Sequence, residues 1–288
     1  MDDPRLSRRQ LLAGVGSVAS VATVSGLAAG ARQTATLHVR IYPGPTPENV
    51  RTVRGWSWAH LESAIAVSRA LDTLAREAER RTALEGVDVR LEPASPVSLE
   101  VGRDAQETIL DAFRERLRER NAITGECCHL LLWWDPLNYD LGYGGVRWPN
   151  SHVGKDADEG SQTVANVGAT EAWDSRAVTR NMAIHETLHT FLAPDVVDDV
   201  IDSRCDHDLG SATRVGETLR ISPIATAYAG PDRIGGGTQF HGTGCYDHDS
   251  FYRHDGYDGV NRWEYTTTLS EGVREGVARY LERYLATD

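Results

Sequence analysis

The chain has 288 residues, 40% of them hydrophobic and 25% charged, proportions that suit a folded chain and exclude a fibrous or disordered one. Its 42 acidic residues outnumber 30 basic ones, and the formal net charge of -12 sets it against nucleic acid, whose phosphates would repel it.

The first element is a targeting segment. Ser7-Arg8-Arg9-Gln10-Leu11-Leu12 resembles the twin-arginine export motif. An apolar stretch rich in small residues follows from Leu11 to Ala29, and Ala29-Gly30-Ala31 reads as a cleavage site, so residues 1–31 are expected to be a signal peptide. Glycine and serine dilute this stretch too far for a permanent membrane anchor. No long uncharged apolar run follows it. The expected product is a secreted or cell-surface monomer with no membrane span.

Thr36 to Tyr42 alternates apolar and polar residues and predicts a strand, stopped by Pro43-Gly44-Pro45. Leu61, Ile65, Val67, Ala70, Leu71 and Leu74 form a helical stripe within Trp58 to Arg81. Val87 to Leu91 predicts a second strand and Asp104 to Arg120 a second helix. Cys128 to Trp134 is continuously apolar, the mark of a buried central strand. Asn138 to Gly160 is rich in Gly, Asp and Asn and reads as surface loop. Gln162 to Val167 predicts another strand, Asp174 to Phe191 a helix, and Leu269 to Leu285 a closing amphipathic helix. Residues 32–288 are therefore expected to form one α+β domain with a mixed sheet.

Chemistry concentrates in His185-Glu186-Thr187-Leu188-His189, the H-E-x-x-H pattern. At about 100° per residue, His189 lies only about 40° around the helix from His185 and one turn along it. Both imidazoles can then share one tetrahedral zinc. Glu186 lies beside them, placed to take a proton from a zinc-bound water as it attacks a carbonyl. Met182, Ile184, Leu188 and Phe191 would bury the remaining faces. A third ligand must come from beyond Pro194, where a helix does not readily continue. Two candidates follow, Asp195 six residues past His189 and His207 eighteen past it.

On these residues the chain resembles the metzincin superfamily of zinc peptidases, whose pattern is H-E-x-x-H-x-x-G-x-x-H/D with a downstream methionine turn. The resemblance implies a zincin-like α+β fold with a mixed twisted sheet, an active-site helix and a C-terminal helix. It also implies one catalytic zinc and endopeptidase activity on peptide or protein substrates. His207-Asp208-Leu209-Gly210 looks like the third-histidine segment displaced by an insertion from Ala193 to Asp206, so His207 is preferred to Asp195. Leu192 occupies the glycine position. Ser222-Pro223-Ile224-Ala225-Thr226-Ala227-Tyr228 is similar to the methionine turn but has no methionine, since the chain's two are Met1 and Met182. Tyr228 then becomes a candidate to ligate zinc or stabilise the oxyanion; a packed aromatic is its structural alternative.

Other acidic and histidine residues have plainer readings. Asp247, Asp249, Asp255 and Asp258 offer a calcium alternative, but their spacing fits no EF-hand loop, and a solvated acidic surface is preferred. His241, His248 and His254 read as loop histidines. Glu217, Glu264 and Glu271 are weak candidates for a distant glutamate ligand. No G-x-S-x-G elbow is present. Cys127, Cys128, Cys205 and Cys245 permit long-range disulfides in an oxidising compartment, Cys205 with Cys245 being one option. Only Lys155 is a lysine among the basic residues. Such an acid-rich, lysine-poor surface resembles proteins of salt-loving archaea; a high-GC genome gives the same bias. Two further functions remain open: a non-catalytic zinc-stabilised surface binding module, and a zinc amidase acting on non-peptide amides.

Overall fold

The computed structural model describes residues 33–225 and 251–287, except 103, 149, 156, 174 and 257. The signal-peptide segment therefore lies outside the described residues. From Arg32 onward the chain forms one compact unit of α+β class.

β1 (Thr34–Pro43), β2 (Gly86–Pro93), β3 (Cys128–Trp133), β4 (Gly144–Val146) and β5 (Ser161–Asn166) form one sheet in the order β2-β1-β3-β5-β4. All pairs are parallel except β4 with β5, so the antiparallel strand sits at an edge. β3 is buried along its whole length, as a continuous apolar run requires when both sheet faces are covered. Its side chains alternate between the faces. Cys128, Leu130 and Leu132 pack with Leu37, Val39 and Ile41 of β1 against helix α1 (Trp58–Arg81). Leu131 and Trp133 pack on the other face against Ile109, Leu110, Phe113 and Leu117 of α2 (Gln106–Glu119).

α1 begins where predicted because Ser57 caps it. The Ser57 hydroxyl accepts from the His60 amide at 3.3 Å, and the Ser57 amide donates to His60 Nδ1 at 3.2 Å. Histidine thus completes a capping box that usually uses Glu or Gln. Two short helices were not expected: α3 (Val167–Trp173) directly after β5, and α5 (Pro194–Ile201). The stretch expected as loop over Asn138 to Gly160 contains β4. Helix α4 (Arg176–Leu188) and a 3-10 turn over His189–Phe191 carry the H-E-x-x-H residues. A second sheet, in the order β8-β6-β7-β9, joins β6 (Ser211–Val215), β7 (Thr218–Ile221), β8 (Arg253–His254) and β9 (Arg262–Tyr265). The closing helix α6 (Glu271–Tyr280) runs into a π-turn over Leu281–Leu285 and packs Val273 and Val277 into the main core. No helix among the described residues is long and apolar enough to cross a membrane.

Candidate metal centre

α4 is held by its apolar faces. Ala183, Ile184 and Leu188 join the main core, while Val178 and Met182 pack with Tyr143. His185 and His189 project from the remaining side, one turn apart. The chain then takes a route that the spacing alone does not reveal. Leu192 adopts φ -132° and ψ 85°, outside the left-handed region that favours glycine, so the glycine of the metzincin pattern is not needed here. Ala193 is extended too, and Pro194 occupies the first turn of α5, where its missing N–H and fixed φ suit a helix start. α5 buries Val196 and Val197 in the core instead of looping out. Asp202 ends it in the left-handed region at φ 54°, a conformation aspartate tolerates. The chain then returns through a 3-10 turn over Asp206–Leu209, which brings His207 to the two helical histidines.

The three rings are spaced almost equally. Their centroids are 4.8 Å apart for His185 and His189, 5.2 Å for His185 and His207, and 4.9 Å for His189 and His207. An imidazole whose nitrogen sits about 2.0–2.1 Å from a metal has its ring centre roughly 3.2 Å away. Three such rings at tetrahedral angles stand about 5 Å apart. The observed triangle matches that spacing. One ligand atom from each histidine lies within 4.8 Å of the others.

Hydrogen bonds behind the rings select the coordinating nitrogens. His185 Nδ1–H donates to the Pro223 carbonyl at 2.7 Å, and His189 Nδ1–H donates to Asp206 Oδ2 at 2.6 Å. Each ring therefore keeps Nε2 for a metal. His207 Nδ1 lies 3.5 Å from Cys205 Sγ and 3.6 Å from Asp206 Oδ1. Burial holds His185 well below the ordinary histidine range and lowers His207 to about 4, so both are neutral and able to ligate at neutral pH. Burial also opposes charge on His189, but the Asp206 carboxylate outweighs it and raises the pKa to about 9. Without a metal His189 holds a proton that an ion would displace.

Glu186 is 2% exposed, and its Oε2 has no hydrogen-bond partner among the described residues. Burial raises its pKa to about 8. An orphaned carboxylate oxygen beside three converging imidazoles is the arrangement a divalent cation would relieve, so these residues fit a metal ion. Gly144 of β4 lies against it. A Cβ at Gly144 would stand 2.8 Å from Glu186 Oε1 and would overlap the Val164 carbonyl, and its φ of +150° suits only glycine. The Thr163 hydroxyl is within hydrogen-bonding reach of the Gly145 carbonyl (2.9 Å) and the Glu186 carbonyl (3.1 Å), so it links β4, β5 and α4.

Asp195, the alternative third ligand, takes no part in the triad. Its carboxylate accepts from Arg283 Nη1 and from the Tyr284 hydroxyl, each at 2.6 Å, because α5 turns that face toward the π-turn. Within the stretch similar to a methionine turn, Pro223–Ala225 forms a 3-10 turn. Gly210 presses on it so closely that a Cβ there would stand 2.9 Å from Ala225 Cα, leaving no room for a methionine side chain on that side. Tyr228, His241, His248, Asp247, Asp249 and Cys245 lie outside the described residues. Cys205 is disulfide-bonded, whereas Cys127 and Cys128 are buried and free.

The weaker candidates sit elsewhere. Glu217 bonds Asn261, Glu264 pairs with Arg220, and Glu271 pairs with Arg81. Asp255 pairs with Arg253, and neither Asp255 nor Asp258 joins a group able to hold a metal among the described residues, so calcium gains nothing there. His254 Nδ1 accepts from the Gly256 amide at 3.1 Å. The functional partners that sequence reasoning missed are Asp206, the Pro223 carbonyl and Gly144. Only Asp206 left a signal, as an acidic neighbour of His207.

Neither a family model nor a curated protein matches this chain.

Proposed function

We propose that the chain is an exported zinc-dependent endopeptidase with a metzincin-like domain. The observation that carries this reading is the convergence of three nearly buried imidazoles on one point beside the buried Glu186 carboxylate. Zinc suits this donor set. His185, His189 and His207 would offer three neutral imidazoles, a set zinc favours, and the ion would supply Lewis-acid activation of water and of a carbonyl.

In this reading His185, His189 and His207 would hold the ion, with the Pro223 carbonyl orienting the His185 ring and Asp206 the His189 ring. Glu186 carries the proton, taking it from the attacking water and returning it to the departing amine. The pKa of about 8 belongs to the metal-free protein; a cation beside the carboxylate favours its ionised form and restores a base at neutral pH. β4 supports a peptide over other amides. The Asn166 amide donates to the Tyr143 carbonyl and the Arg147 amide to the Gln162 carbonyl, so Gly144 and Val146 turn their backbone groups away from β5. Gln106 donates to the Val146 carbonyl, while Gly144 remains beside Glu186. An extended peptide can add to such an edge. Tyr228 is the proposed oxyanion donor. Export through the twin-arginine motif is supported by the disulfide at Cys205, a bond that persists in oxidising compartments.

The test is Glu186→Gln, assayed for zinc content and for cleavage of a quenched fluorescent peptide library. Zinc should stay bound while turnover falls by about 10²–10⁴-fold. Undiminished cleavage would overturn the mechanism. A wild-type protein that holds zinc but cuts no peptide would point to the non-catalytic binding module.

A further inference from the structure

We propose that Asp206 is a positioning residue that orients the His189 imidazole and so ties the turn carrying His207 to the end of α4; the proposal rests on the metal-centre reading above. Its Oδ2 accepts from His189 Nδ1 at 2.6 Å, and its Oδ1 stands 3.6 Å from His207 Nδ1. The hydrogen bond is made to the His189 ring nitrogen facing away from a metal at Nε2, while His207 Nδ1 lies nearer Cys205 Sγ, at 3.5 Å. Asp206 therefore acts behind the rings and is not a fourth ligand.

The arrangement solves a problem particular to this chain. His185 and His189 share one helix, so their relative placement is set by the helix itself. His207 arrives on a separate turn after α5, and nothing in α4 dictates where its ring stops. Asp206 precedes His207 directly, so its carboxylate binds the returning turn to the second helical ligand. The two acids flanking His207 have separate tasks. Asp208 accepts from the Ser203 hydroxyl at 2.5 Å, and its carbonyl accepts from the Tyr252 amide at 2.6 Å, contacts that shape the turn. Asp206 addresses the His189 ring. An anion behind an imidazole also increases the electron density the ring offers a cation, and removing such a partner typically weakens metal binding by about 10–100-fold.

The experiment titrates metal-free full-length protein with zinc against a competing chelator, using wild type, Asp206→Asn, Asp206→Ala and His189→Ala. Far-UV circular dichroism checks the fold of each, and the visible spectrum of the cobalt(II) form reports the geometry around the ion. Asp206→Ala should bind zinc about 10–100-fold more weakly and shift the cobalt bands. Asp206→Asn, whose amide oxygen can still accept from His189 Nδ1–H, should lose less affinity and keep the bands closer to wild type. If Asp206→Ala fails to fold, the asparagine variant decides alone: a loss of several-fold supports the proposal, and wild-type affinity overturns it. Wild-type affinity and spectrum in Asp206→Ala, together with loss of zinc in His189→Ala, would overturn the role of Asp206 and leave the metal centre standing. A wild-type protein that binds neither ion would overturn both.

Discussion

Gly144→Ala probes the coupling between the edge strand and Glu186, the proposed proton carrier. The new Cβ would overlap the Val164 carbonyl and stand 2.8 Å from Glu186 Oε1, at a φ of +150° that an L-residue rarely adopts. A non-glycine residue forced into such a region costs about 1–3 kcal/mol, and overpacking a filled site costs a similar amount. The variant should therefore lose about 2–5 kcal/mol of stability. Relief requires β4 to slide outward or the Glu186 carboxylate to swing aside. A misplacement of about 1 Å at a reacting group reduces turnover by about 10²-fold. The proposed metal ligands lie on α4, on the 3-10 turn that continues it and on the Asp206–Leu209 turn, so zinc affinity should stay within a few-fold of wild type. Gly145→Ala is the control: the atoms nearest its Cβ belong to the amide end of the Gln106 side chain, which can rotate away. Chemical denaturation, a zinc titration and steady-state peptide hydrolysis give the three readouts. Wild-type turnover in Gly144→Ala, with no loss of stability, would refute the packing of β4 on Glu186.

Two further outcomes follow from the scaffold. His60 and His129 are fully buried and burial lowers each to about 4, against about 6.5 in the unfolded chain. As pH falls from 6.5 to 4 the unfolded chain takes up protons that the folded chain refuses, so each site removes up to about 3 kcal/mol of stability; above pH 6.5 neither contributes. His60→Gln keeps a capping-box partner for Ser57 and removes one titration, so its urea midpoint should fall less steeply over that interval; parallel curves would contradict this. Leu192→Gly restores the glycine of the metzincin pattern, yet Leu192 is 4% exposed and not in the left-handed region. It should lose about 3–5 kcal/mol in chemical denaturation without tighter zinc binding, and a stabilised variant would contradict the route drawn for the chain.

The parts of the fold legible from sequence are those fixed by local periodicity. The stripe from Leu61 to Leu74, the unbroken apolar run at Cys128 and the alternation before Pro43 each force one kind of element. β4 escaped because Gly144-Gly145-Val146 has too few side chains to alternate, and its strand character comes only from pairing with β5. α5 escaped because Pro194 was read as a breaker, although at a first turn proline begins a helix. Likewise His185 and His189 were legible because one helix sets their spacing. The choice of His207 over Asp195 depends on where α5 directs the chain, which is a tertiary outcome. The hydrogen-bond acceptors at Pro223 and Asp206 lie 38 and 17 residues from the rings they orient, beyond any local pattern.

Metal analysis of zinc-loaded, dialysed protein tests the triad most directly, comparing wild type with His185→Ala, His207→Ala and Asp195→Ala. One zinc per chain is expected in wild type and in Asp195→Ala, and little or none in either histidine variant. A metal-free wild type, or full zinc in His207→Ala with loss in Asp195→Ala, would contradict it.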